Sequence, residues 1–246
     1  MPSTVVERRI EYLVGWLHER ADEAGVLGAV VGISGGVDSA TVAALCLHAF
    51  PQTTLGVLMP LHSDPRDHAD AVAVCETLRL PHTTVVLDGV YDALLAALRA
   101  SGQHADHHLA LANLRPRLRM ATLYYFANRL NRLVAGTGNR SEAYVGYFTK
   151  YGDGGVDVLP IGGLVKSEVR ELAAALGIPR AIVERTPSAG LWPGQTDEGE
   201  MGLTYAVLDA YLLTGAAPPP ARARIEQLHA ASEHKRRVPP IAEIPR

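Results

Sequence analysis

Cysteine is scarce in this chain: Cys46 and Cys75 are the only two. They show no metal-ligand spacing and form no disulfide framework. Long apolar runs are missing too. No stretch of about 18 apolar residues occurs, so no helical membrane span is expected. The opening MPSTVVERRIEYL lacks the apolar core of a signal peptide, and a soluble cytoplasmic protein is the expectation. Positive charge is not in excess. The formal net charge is -3, which argues against nucleic acid as a partner. What remains is a chain of 246 residues, 48% of them hydrophobic. That is enough for one large domain, and no internal repeat or second boundary interrupts residues 1–246.

Strand-like and helix-like segments alternate along the first half. Val6, Ile10, Leu13, Val14 and Leu17 recur at helical spacing. Ala29 to Ile33 reads as a buried strand and Ser39 to Phe50 as a helix. Segments 53–60, 82–88 and 132–138 read as further strands; 65–78, 90–100 and 117–130 read as helices. Residues 101–113 have weak periodicity and read as a loop. The alternation predicts an α/β fold, doubly wound, with a mostly parallel sheet covered by helices on both faces. Ligands in such folds bind at the carboxyl ends of strands. Two glycine-rich turns, Gly32–Gly36 and Gly136–Gly138, fall at such ends. Beyond residue 150 come two irregular stretches, 150–164 and 185–200, then closing helices over 202–213 and 221–237.

The turn GISGGVDS, comprising Gly32, Ile33, Ser34, Gly35, Gly36, Val37, Asp38 and Ser39, is the first candidate site. No lysine follows Gly36, so it is not a Gly-x4-Gly-Lys-Ser/Thr loop, and its glycine spacing is wrong for a dinucleotide fingerprint. Its glycines free backbone amides to close around an anion, and the helix that follows adds its positive end. Ser34 and Ser39 add hydroxyls. Asp38 is out of place beside a phosphate unless it holds Mg²⁺ that bridges to the phosphates. The alternative is an ordinary helix cap at Asp38 or Ser39.

SGGVDS resembles the pyrophosphate loop of the ATP pyrophosphatases, which activate an oxygen with ATP and let a nitrogen or sulfur nucleophile displace AMP. Later segments narrow the resemblance. GTGNRSE (136–142), GYFTKYGDGGVD (146–157), LPIGGLVKSEVR (159–170), TPSAGLWPGQTDEGEMGLTY (186–205) and EHKRR (233–237) follow in the order and spacing of the NAD synthetases. The similarity covers nearly the whole chain, with FTKYGDGG and EHKRR as its specific elements. It implies amidation of the nicotinate carboxylate of deamido-NAD, with ATP as co-substrate, Mg²⁺ as the metal, and ammonia as the nucleophile.

The same resemblance assigns residues. Asp38 and Glu142 would hold Mg²⁺. Thr137, Lys166 and Ser188 would meet ATP along with the loop 32–39, and Asp38 and Lys166 would carry the chemistry. Ser188 stands where many relatives have threonine. Arg117, Lys150, Asp157, His234 and Lys235 would bind deamido-NAD, with Arg119 supporting Arg117. The guanidinium fork of Arg117 suits a phosphate or carboxylate. In isolation these residues read differently: Glu142 as a solvated acid on a short helix, Lys166 as surface charge at a helix start, and Lys150 and Asp157 as solvated loop residues.

Asn139-Arg140-Ser141 replaces the His-Ala-Ala of many small bacterial relatives, a spelling closer to glutamine-using and archaeal enzymes. Both cysteines lie in apolar helical surroundings that disfavour a thiolate, and no segment is left for a glutaminase. Direct use of ammonia, or its supply by a separate glutaminase, is therefore expected. A homodimer with the dinucleotide at its interface is implied by the family. The rival functions are another ATP pyrophosphatase, such as a GMP-synthetase-like amidotransferase subunit, and a non-catalytic adenine-nucleotide sensor.

Overall fold

The computed structural model describes residues 4–102, 107–188, 190 and 194–244. Its elements in chain order are α1 (Val5–Ala24), β1 (Ala29–Gly32), α2 (Val37–Ala49), β2 (Thr54–Leu58), α3 (Pro65–Leu78), β3 (His82–Thr84) and α4 (Asp88–Ala100). Next come α5 (His108–Ala112), α6 (Leu114–Leu130), β4 (Leu133–Ala135), α7 (Arg140–Val145) and α8 (Lys166–Ala175). The chain closes with α9 (Arg180–Val183), α10 (Asp197–Met201), α11 (Tyr205–Thr214), α12 (Pro219–Ala231) and α13 (Glu233–Arg236).

The strands form a parallel sheet in the order β3-β2-β1-β4, extended by a parallel bridge from Ala135 to Val158. Alternate residues feed opposite cores, as the two-residue strand period requires. Ala29, Val31 and Ile33 point to one face, where α1, α2, α3 and α8 pack; Val30 points to the other, under α4 and α6. Leu58 and Val57 divide the same way, as do Ala135 and Val134. A third cluster joins Val145, Met201, Leu203, Tyr205, Leu208 and Ile225. The doubly wound expectation holds.

Boundaries differ in places. Within the expected loop 101–113, residues His108–Ala112 form α5, started by His107 Nδ1 accepting from Ala110 N (3.2 Å); 103–106 lie outside the described residues. A single turn is too short to show a helical period. The strand expected over 82–88 stops at Thr84 because Asp88 opens α4, where its carboxylate accepts from His62 N (2.6 Å). The expected helix 202–213 starts at Tyr205, since Gly202 caps α10 with φ +68° and Thr204 caps α11. The helix expected over 221–237 divides at Ser232 into α12 and α13.

Order matters most at the switch point. From β1 the chain runs outward to β2 and β3, then returns to β4 on the other side of β1. Loops diverge there and leave a crevice at the strands' carboxyl ends. Both glycine-rich turns open into it.

Candidate functional site

The turn after β1 is braced from within. Ser34 N donates to Ser39 Oγ (3.2 Å), Gly36 N to Ser34 Oγ (3.3 Å), and Ser39 Oγ to Gly36 O (3.0 Å). Ser39 is buried, so its hydroxyl shapes the loop from inside. The N-cap of α2 is Gly36, which has no side chain to offer the first amides, so these suit an anion. Gly35 has φ +81°, and a Cβ there would sit 2.9 Å from Ala71 N and from Asp67 O of α3. Gly35→Ala is therefore expected to cost about 2 kcal/mol or more in stability and to weaken ATP binding, through left-handed strain and backbone overlap. Thermal unfolding and calorimetric ATP titration read both; a variant matching the parent in both would remove the steric argument.

Asp38 stands on the first turn of α2 and meets the turn after β4. Asn139 Nδ2 donates to Asp38 Oδ1 (3.2 Å). Asn139 also caps α7: its side chain accepts from Glu142 N (3.0 Å), and Glu142 Oε2 accepts from Asn139 N (3.3 Å). This capping box sets Glu142 beside Asp38. Between the two carboxylates lies the ammonium of Lys166, the first residue of α8. It donates to Asp38 Oδ2 and, at 3.4 Å, to Glu142 Oε1. Lys166 is only 2% exposed, so it is not the surface charge its sequence context suggests. Its Nζ lies 5.0 Å from the ring centroid of Tyr205. The Tyr205 hydroxyl is 3.2 Å from Glu142 Oε1 and 3.0 Å from Asp197 Oδ2.

One cation thus serves several acids in a largely buried pocket. Burial pushes Glu142 up to about 7, with Lys166 opposing the rise and Asp38 and Asp197 adding to it. Burial likewise raises Asp197. Burial disfavours the Lys166 ammonium, but Asp38 and Glu142 outweigh it and hold its pKa above the ordinary value. A buried amine this strongly paired stays charged.

Four of the remaining sequence candidates, Arg117, Lys150, His234 and Lys235, form a second group. Arg117, on α6, is exposed and donates to Lys150 O (3.4 Å). Lys150 Nζ donates to His234 O (2.6 Å), and Lys235 Nζ donates to Gly146 O (2.8 Å) and Phe148 O (2.7 Å). Lys150, Tyr151, Lys235 and Arg237 help line a cleft of about 240 Å³. Asp157 is engaged elsewhere: Oδ1 accepts from Tyr124 OH (2.8 Å) and Oδ2 from Val134 N (2.8 Å). Both oxygens are thus used within the fold, and Asp157 is not the solvated loop residue its sequence context suggests. Arg119 is half-buried against the loop after β2, donating to Met59 O (3.2 Å) and Ser63 Oγ (3.4 Å). Thr137 lies in the turn after β4, and Ser188 is exposed with its hydroxyl accepting from Gly190 N (3.1 Å).

Sequence reasoning passed over Asn139, Asp197 and Tyr205. Asn139 carried a signal, because Asn-x-x-Glu before a helix is a capping box. Asp197 and Tyr205 carried none, since only tertiary folding brings α10 and α11 to Lys166.

Comparison with known proteins places this geometry. The family model for NAD synthase matches residues 9–239. The chain is 52% identical over 235 residues to the NH(3)-dependent NAD(+) synthetase of Carboxydothermus hydrogenoformans, covering 96% of this chain and 97% of that protein. Among solved structures, it resembles an NMN synthetase from Francisella tularensis, with TM-score 0.93 and 37% identity, covering 98% of this chain and 100% of that one. It also resembles the NH3-dependent NAD synthetase of Campylobacter jejuni, with TM-score 0.80 and 28% identity, covering 98% of this chain and 100% of that one. A buried lysine shared by two acids at the switch point is thus set in a chain that, along almost its entire length, belongs to the NAD synthase family.

Proposed function

We propose that this protein, acting as one synthetase domain, makes NAD from deamido-NAD, ATP and ammonia. The observation that carries the proposal is Lys166, buried between Asp38 and Glu142 beside the first amides of α2. A carboxylate is a poor electrophile. Its oxygen therefore attacks the α-phosphorus of ATP and pyrophosphate leaves, giving an acyl-adenylate. Ammonia then attacks the acyl carbon, the acyl–oxygen bond breaks, AMP departs, and the amide nitrogen loses a proton. The first step brings two anions together, so cations must offset the repulsion. Lys166 and the loop amides supply that charge for the phosphates, with Thr137 and Ser188 on the same side.

The donor set fits Mg²⁺. Asp38 and Glu142 are hard oxygen ligands beside a phosphate-binding turn, and Mg²⁺ prefers one or two carboxylates completed by phosphate oxygens. Among the described residues no group of three or more acidic, His or Cys ligands competes. Bound there, the ion would polarise the phosphoryl oxygens.

Arg117, Lys150, His234 and Lys235 form the deamido-NAD side. Lys235 acts there by shaping the turn 146–148, and Asp157 by holding Tyr124 and β4 in place. A homodimer completes this side. An apolar groove of about 370 Å³ between α4 and α6, lined by Val85, Val90, Leu118 and Tyr125, offers a surface for a second copy. Val90 is 52% and Tyr125 58% exposed there. A cytoplasmic location belongs to this proposal; separately, no described helix is long and apolar enough to cross a membrane.

The nitrogen source is ammonia. Burial pushes the Cys46 thiol up to about 12, and burial with Glu76 pushes Cys75 up to about 11. Neither is a thiolate at neutral pH, as glutamine hydrolysis would require. The pure chain is expected to form NAD, AMP and pyrophosphate with ammonium chloride and no NAD with glutamine. Glutamine turnover abolished by alkylating a cysteine would overturn this; turnover with glutamine only after a second protein is added would identify a partner glutaminase. A second substrate reading follows from the likeness to the Francisella NMN synthetase. Nicotinate mononucleotide presents the same carboxylate, so the same assay run with it in place of deamido-NAD decides between the two.

A further inference from the structure

Helix α8 caps its own start only in part: Glu168 Oε2 accepts from Val165 N (3.0 Å). Val165 precedes it and has no side-chain acceptor, so the first amides depend on partners from elsewhere. Lys166 N donates to Ser141 Oγ (3.2 Å), and Ser167 N donates to Asp209 Oδ2 (2.8 Å). Ser141 Oγ in turn donates to Asp209 Oδ1 (2.6 Å). The serine hydroxyl therefore uses its single proton toward Asp209 and accepts from Lys166 on one of its two lone pairs. Ser141 is 0% and Asp209 5% exposed. A carboxylate at a helix N-terminus is also favoured by the helix dipole.

The placement of these groups matters. Ser141 directly precedes Glu142 on α7, and the amide that Ser141 accepts from belongs to Lys166 itself. Asp209 lies on α11 one turn beyond Tyr205, at the four-residue spacing that puts both on one helix face. Tyr205 reaches Glu142 Oε1 (3.2 Å) from that face. One helix behind the site thus contacts Glu142 through Tyr205 and the first turn of α8 through Asp209.

We propose that Asp209 is a positioning residue: through Ser141 and the start of α8 it fixes Lys166 relative to Glu142. This rests on the function proposed above. The Asp209 carboxylate touches no reacting group; it acts through the backbone of α8 and the side chain of Ser141. Asn at this position keeps the shape but offers only one good acceptor, so one of the two bonds is lost.

The test uses Asp209→Asn, Ser141→Ala and the double variant. Ile225→Val serves as a control that loosens the same core cluster away from these groups. Each single variant is expected to lower kcat roughly 10- to 100-fold, the scale of a misplaced catalytic group. KM for deamido-NAD should stay within about twofold, because that side of the site is untouched. The double variant should be no worse than the poorer single one, since both break one linkage. The calorimetric dissociation constant for ATP should rise several-fold in both singles. Singles retaining kcat and ATP affinity at the Tm loss of Ile225→Val would overturn the proposal, as would multiplicative losses in the double variant. If Asp209→Asn does not fold, Ser141→Ala decides on the same two measurements. A wild-type chain that forms no NAD would refute the proposed function, whereas the ATP titration would still decide the role of Asp209.

Discussion

Lys166→Met is expected to abolish measurable synthesis, with a loss of roughly 10³-fold, and to destabilise the protein by about 3–5 kcal/mol. Two effects combine. The ammonium is the side-chain cation that bonds both Asp38 and Glu142, so its removal takes positive charge from the phosphate side of the site. It also leaves carboxylates facing one another in a pocket where burial already raises Glu142 to about 7. Without Lys166, the one group that opposes this rise most, the Glu142 carboxyl binds its proton still more tightly in the folded state. The folded variant then holds a proton that the unfolded chain has released, so its stability falls as pH rises from the ordinary carboxylate range up to the raised folded pKa, and levels off above it. Unfolding measured without metal should show a deficit that is smallest at about pH 6 and grows through about pH 7 toward about pH 8, where the wild-type Glu142 has released its proton and the variant's has not. A deficit that stays constant across that range would show that Lys166 does not offset these acids.

Asp38→Asn should leave the fold intact and lower turnover roughly 100-fold or more at saturating Mg²⁺. A neutral amide is a weak ligand for a hard dication. The geometry adds a second cost. Asp38 accepts from Asn139 on one oxygen and from Lys166 on the other. An asparagine must turn its NH₂ toward one of these donors, so one contact is lost whichever way it points. The side chain is 18% exposed, which lets water relieve part of that conflict and spares the fold. Turnover near that of the wild type, measured as pyrophosphate release dependent on deamido-NAD, would remove Asp38 from the site.

Much of the architecture was legible in the chain. The alternation of short apolar runs with helical periods is a local property, and it predicted the parallel sheet and the position of the glycine turn after β1. Binary pattern decides such elements because each buries one face against the next. Boundaries were less legible. Asp88 ends the third strand early because its carboxylate binds the backbone at His62, twenty-six residues away in sequence. Residues 108–112 are helical in a single turn that no periodic signal could reveal.

The candidate site divides in the same manner. The loop 32–39 and Asp38 were visible because glycine, acid and strand end have local chemical meaning, whereas Glu142 in isolation read as a solvated acid. Lys166 was visible only by resemblance, for its neighbours suggest an exposed helix start. Burial of that lysine, its pairing with two acids from α2 and α7, and the bracing of both by Tyr205 and Asp209 from α11 belong to the tertiary structure. The sequence by itself determined which groups can carry charge and where the backbone can bend. Which charges meet, which stay dry and which amides receive a distant cap was decided by packing, because desolvation and pairing act between side chains far apart in the chain and close together in space.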